Sequence, residues 1–127
     1  MCDLETMDNT ATAAIVSIGA VECNLITGEI GKTFYRVIDL TDQKGTINAE
    51  TLYWWMGQSD SARKALLVPG KISIIEMCNS FTRWINYLTA ANDSIRLWGN
   101  GASFDNSILR QTFRFYKKEF PIKYWND

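Results

Sequence analysis

Three features of the sequence predict a mixed α/β fold. Two apolar, β-branched stretches lie near the N-terminus, the hydrophobic period turns helical after residue 48, and a short apolar stretch returns at residues 95–98. Met1 to Glu5 reads as a short first strand. Ala13 to Val21 (AAIVSIGAV) is apolar at nearly every position, as a buried central strand is. Thr27-Gly28-Glu29 reads as a turn and Thr33 to Leu40 (TFYRVIDL) as the returning strand, so three adjacent strands of one sheet are expected. Asn48 is placed to cap a helix in which Leu52, Trp55 and Met56 recur at helical spacing, with Gly57 ending it. Ser59 and Asp60 can cap a short second helix, Ala62 to Leu67, closed by Pro69-Gly70. Between Ile72 and Leu88, the residues Ile74, Ile75, Cys78, Phe81, Ile85 and Leu88 fall on one helical face. Ile95 to Trp98 reads as a short buried strand. Ser103 then caps a last helix to about Lys117, with Phe104, Ile108, Leu109, Thr112, Phe113 and Tyr116 as its stripe.

The chain of 127 residues is 46% hydrophobic, enough for a single domain over residues 1–127 with its own core. A charged fraction of 21% and a net charge of -1 argue against disorder and against nucleic-acid binding by bulk positive charge. The charge is graded, however. No Lys or Arg occurs from Met1 to Gly31, while Arg110, Arg114, Lys117, Lys118 and Lys123 crowd the end against Glu119. An acidic front and a basic tail suit a cation site beside a phosphate backbone; on charge alone, an ordinary solvated surface is the favoured explanation. The absence of histidine removes Ser-His and Cys-His nucleophilic schemes and histidine-ligated zinc. Cys2, Cys23 and Cys78 are too widely spaced for a C-x-x-C site, and reduced thiols in the cytoplasm are the expectation. No run is long enough to cross a bilayer, and no basic n-region precedes the first apolar stretch, so no membrane association is expected.

Asp3-Leu4-Glu5 sets two carboxylates at i and i+2, on one face of a strand. Like charges that close raise each other's proton affinity unless a cation holds them, and magnesium or manganese prefer such oxygen donors. The pattern is common on solvated strand edges; its place beside the most hydrophobic strand of the chain is what gives it weight. Asp105 opens a helix after the glycine-containing loop of WGNGASFDN. In isolation it serves the helix dipole, yet Trp98 and Phe104 bracket it and the glycines permit close approach.

With these residues in view, the chain resembles the DEDD 3′-to-5′ exonucleases. Asp3-Leu4-Glu5-Thr6-Met7 followed by AAIVSIGAV looks like their first motif and second strand. TINAETLYWWMGQSDSAR, WGNGASFDNSILR and the terminal YWND extend the likeness over the chain. The combination is similar to the branch of phage and bacterial exonucleases related to exodeoxyribonuclease VIII and its exoribonuclease-like relatives. The resemblance implies a ribonuclease H-like mixed sheet flanked by helices. It also implies two-metal hydrolysis with Mg2+ or Mn2+, in which Asp3, Glu5 and Asp105 are the catalytic, metal-holding carboxylates. The 3′ end of a single-stranded nucleic acid is the implied partner. Thr6 (by backbone or hydroxyl), Met7 (against the base) and Phe104 would form the pocket of the terminal nucleotide, and a homodimer is a further expectation from relatives. Trp55 fits the buried face, and Trp54 stands nearer to packing than to base stacking.

The chain departs from the family pattern in three ways. The family carries a fourth aspartate on a final helix, with a histidine or tyrosine shortly before it; neither is present, so the fold is expected to be truncated at its C-terminus and hydrolysis weak. Few residues precede Asp3, and Asp8 stands where glycine is usual. The alternatives are a non-catalytic nucleic-acid or protein interaction module on the same fold, and an endonuclease of ribonuclease H shape. DNA and RNA are not distinguished by any residue.

Overall fold

The computed structural model describes residues 1–90, 95–101 and 103–123. The YWND segment at 124–127 lies outside them. The fold is mixed α/β: strands β1 (Cys2–Thr6), β2 (Ile15–Cys23) and β3 (Ile30–Val37) make one antiparallel sheet in that order, accompanied by four described helices. These are α1 (Ala49–Met56), α2 (Asp60–Ala65), α3 (Ile74–Thr89) and α4 (Asp105–Phe115). β3 begins and ends earlier than its apolar residues suggest. The hairpin closes with Cys23 opposite Ile30, and past Val37 the chain keeps one bond to β2, from the Ile38 amide to the Val16 carbonyl at 2.8 Å, while Ile38 bridges Ile72. At the turn, Gly28 takes φ 75°, which glycine adopts without strain.

Register decides what each sheet face carries. Cys2 faces Ala20, Leu4 faces Ile18, and Ala20 faces Phe34; these side chains turn inward under α3 and α4. Asp3 lies opposite Gly19 and Glu5 opposite Ser17, and these point to the other face. Between Glu5 and Thr6 the ladder slips: Thr6 pairs with Ile15, so Val16 is a bulge. The extra residue lets β2 serve two cores. Ile15 enters the large core with Ile18, and Val16 enters a small one with Met7, Ala14 and Trp55.

The large core centres on Phe81 of α3. Its ring lies 5.5 Å from Phe34 of the sheet and 6.2 Å from Phe113 of α4, joining three elements. The α3 stripe keeps Ile74, Cys78, Phe81, Ile85 and Leu88 of the expected face and differs at one residue, with Met77 in place of Ile75. Met77 is fully buried and Ile75 is 46% exposed, because the face toward the sheet follows Ile74, Met77, Cys78, Phe81 and Ile85. In α1 only Trp55 is buried; Leu52 and Met56 face out, since the short helix covers just one end of the sheet. The caps at Asn48, Ser59 and Ser73 each accept an amide of the first turn, at 2.8, 3.3 and 3.1 Å respectively. Ser103 does not cap α4. Phe104 occupies that position with no side-chain cap bond, and Asp105 is the first helical residue.

Beyond β1, on the edge away from β2, the expected strand at Ile95–Trp98 reduces to a single parallel bridge between Cys2 and Gly99. The Cys2 amide donates to the Trp98 carbonyl at 2.6 Å. The ladder stops there because the next outward amide, that of Leu4, is taken by a side chain instead: Asp105 Oδ1 accepts it at 3.0 Å.

Candidate active site

The β1 backbone makes the site. Alternation puts Cys2, Leu4 and Thr6 inside and leaves Asp3 and Glu5 exposed together on the opposite face. No described donor reaches either carboxylate. Both are held above the ordinary carboxylate range: burial acts first on each, the Asp105 charge adds to it at Asp3, and Asp3 then Asp105 add to it at Glu5. Asp105, about a hundred positions from the other two in sequence, thus shares one electrostatic neighbourhood with Asp3 and Glu5.

Asp105 is fixed differently. It is only 3% exposed, and its two oxygens accept the amides of Leu4 at 3.0 Å and Gly101 at 3.1 Å. It therefore sits on the amide between Asp3 and Glu5, at the outward edge of β1. Gly99 makes the approach possible. A Cβ there would lie 3.0 Å from Asn106 Oδ1 and 3.1 Å from Asp105 Cβ, so both neighbours would have to give by a few tenths of an ångström. The glycines of WGNGASFDN admit this aspartate to the strand edge. Asn106 follows it inside, donating to the Leu97 carbonyl at 3.3 Å while its Oδ1 is buried without a partner. The same surroundings push the Cys2 thiol up to about 12, through burial and then the Asp105 charge, so it stays neutral. Among the described residues no three Asp, Glu, Cys or His side chains converge closely enough to enclose one ion. Asp105 turns its oxygens to the backbone, while Asp3 and Glu5 turn theirs to solvent.

The nucleotide-pocket candidates divide. Thr6 is buried; its hydroxyl donates to the Asp8 carbonyl at 2.7 Å and its carbonyl accepts the Trp55 indole at 3.0 Å. Met7 is 7% exposed, in the small core. Phe104 is half-buried beside Asp105, packed against the large core. Trp55 is a core residue that also secures the end of β1, and Trp54, 56% exposed, meets it edge to face at 5.1 Å.

Asp8 has a structural task that its sequence position does not announce. Its carboxylate accepts the Asn9 amide at 2.7 Å and the Thr10 hydroxyl at 3.0 Å. Hydrogen bonding, from the Thr46 hydroxyl foremost, holds it below its ordinary value. Thr10, Thr12 and Thr46 hydroxyls stand 3.2 Å from one another, and the Asn48 amide donates to the Met7 carbonyl at 2.8 Å. The loop after β1 is thereby tied to the start of α1. The signal available in the sequence was the run of Asp and Thr residues that bond their own backbone in turns.

A family model for the 3'-5' exoribonuclease Rv2179c-like domain matches residues 1–127. The chain belongs to that family. Membership in a 3′-to-5′ exonuclease family implies a nucleic-acid substrate. No curated protein matches the chain. No described helix of this family member is long and apolar enough to cross a membrane.

Proposed function

We propose that the chain is a 3′-to-5′ exonuclease domain that removes nucleotides from the 3′ end of single-stranded RNA or DNA. In this reading it uses the DEDD type of site on a ribonuclease H-like fold, in the branch related to exodeoxyribonuclease VIII. Asp3, Glu5 and Asp105 are the carboxylates that would hold Mg2+ or Mn2+. The observation that carries the reading is the pair Asp3 and Glu5 on an open sheet face, both raised in proton affinity and both without a described donor, with Asp105 docked on the amide between them. An all-oxygen set with that unrelieved repulsion suits a hard divalent cation. Such ions, when bound, lower the pKa of an attacking water and neutralise the leaving 3′ oxygen.

The chain's own groups supply position and charge. Asp3 and Glu5 present negative charge to solvent from a rigid strand. Two backbone amides fix the Asp105 carboxylate, and each oxygen keeps a lone pair beyond the bond it accepts. Thr6 and Met7, held by Asp8 and Trp55, give the strand end a fixed floor, and Phe104 is the wall beside Asp105 on which the terminal nucleotide rests.

One observation favours a second reading, a non-catalytic nucleic-acid-binding module: the described acids do not close around one ion. A 5′-labelled single strand separates the two. The exonuclease gives a ladder that shortens from the 3′ end with manganese and vanishes in Asp3→Asn, whereas the module binds the strand and leaves it intact. Manganese should also raise the melting temperature of the parent and not of Asp3→Asn. Asp3 is preferable to Asp105 for this test because Asp105 also holds the backbone.

A further inference from the structure

The open face extends past the carboxylates. Across it, register sets Asp3, Gly19 and Tyr35 in one row, one residue from each strand with side chains on the same side. Gly19 leaves the middle of that row bare. A Cβ built there would meet only Tyr35 Cδ2, at 3.9 Å, so the fold does not require glycine at this place. Tyr35 is 58% exposed, and its Cδ2 borders the space a side chain at Gly19 would fill. Strands lie about 4.8 Å apart, so the Tyr35 backbone is about 10 Å from that of Asp3. That is within reach of the nucleotide next to a phosphate that a cation would hold at Asp3. An exposed aromatic beside an unfilled floor is the arrangement by which proteins stack unpaired bases without reading their identity.

Resting on the nuclease reading above, we propose that Gly19 and Tyr35 form a base-stacking subsite for the penultimate nucleotide. Thr6, Met7 and Phe104 lie at the other end of β1 and at its outer edge, which leaves the direction over β2 and β3 to the upstream strand. The subsite selects single strands, because a base paired in a duplex has no free face to offer.

The test is binding, so that it stands apart from turnover. An oligonucleotide with a phosphorothioate at its last linkage and 2-aminopurine at the penultimate position should lose fluorescence on binding the parent. Tyr35→Ala should bind about tenfold more weakly and abolish the quenching; Tyr35→Phe and Tyr35→Trp should retain both. An abasic penultimate position should remove the difference between parent and Tyr35→Ala, whereas an abasic terminal position should leave it. Gly19→Leu, folded by circular dichroism, should bind as weakly as Tyr35→Ala or more so. Binding by the parent that is insensitive to Tyr35→Ala, or a difference that persists with the abasic penultimate position, overturns the subsite alone. A parent that binds no oligonucleotide overturns the subsite and the nuclease reading together.

Discussion

The two faces of the sheet are built on opposite terms. The face under α3 and α4 is apolar and closed: Ile18, Phe34, Phe81 and Phe113 are all buried, and aromatic edges meet across three elements. The other face carries Asp3, Glu5, Ser17, Gly19 and Tyr35, and the small core beneath Trp55 covers one end only. Stability therefore resides on one side of strands five to nine residues long, and the chemistry on the other. Because side chains alternate, both sets of demands are met by the same backbone without competing for positions.

That division can be broken or sharpened. The largest loss is expected on the closed face: Phe81→Ala should cost about 3–5 kcal/mol in urea unfolding, since the ring joins sheet and both long helices. Next comes the residue that belongs to both sides. Asp105→Asn puts an amide where two backbone amides need acceptors, and should cost about 1–3 kcal/mol without any metal present. On the open face the sign reverses. Asp3 and Glu5 bind protons more tightly in the fold than in the unfolded chain. Their contribution is thus complete below the ordinary values of 3.8 and 4.5 and is lost as pH rises through the raised ones. Metal-free protein should accordingly lose melting temperature as pH climbs above that range. Asp3→Asn should flatten the fall and melt higher than the parent at neutral pH, and an unchanged pH profile would refute the coupling. The smallest effect lies far from both faces. Lys117 takes φ 53° at the end of α4, where the Lys118 amide returns to the Phe113 carbonyl at 2.9 Å; Lys117→Gly should gain about 0.5–1 kcal/mol.

The sheet and helices were largely legible in the sequence because their signals are local. The β-branched stretches, the caps at Asn48 and Ser59, and the 3.6-residue stripes each need only their neighbours. What escaped depends on contacts between distant segments. Ile95–Trp98 has strand composition, yet its ladder ends after one bridge because Asp105 takes the Leu4 amide. Ser103 has capping chemistry, yet the helix begins two residues later, where Asp105 finds its partners on β1 and in Gly101. At the candidate site, the outward pairing of Asp3 and Glu5 followed from alternation alone. The anchoring of Asp105, the clearance at Gly99 and the duty of Asp8 required the tertiary register. The loop Gly45 shows the same limit: a Cβ there would lie 2.5 Å from the Ala14 Cα, a steric necessity that no local pattern reveals.

The bulge at Val16 has a consequence for how this sequence can drift. Substitutions along β2 exchange one side chain at a time, but the slipped pairing of Thr6 with Ile15 makes the strand's inside-outside order depend on a residue count. Deleting Val16 would restore an unbroken ladder with Ile15 still inward and Ala14 still outward, and would take from the small core one of the side chains that pack with Trp55 of α1. Lineages carrying this domain should therefore keep a small apolar residue at that position, and one that lost it should refill the space from Met7 or Ala14.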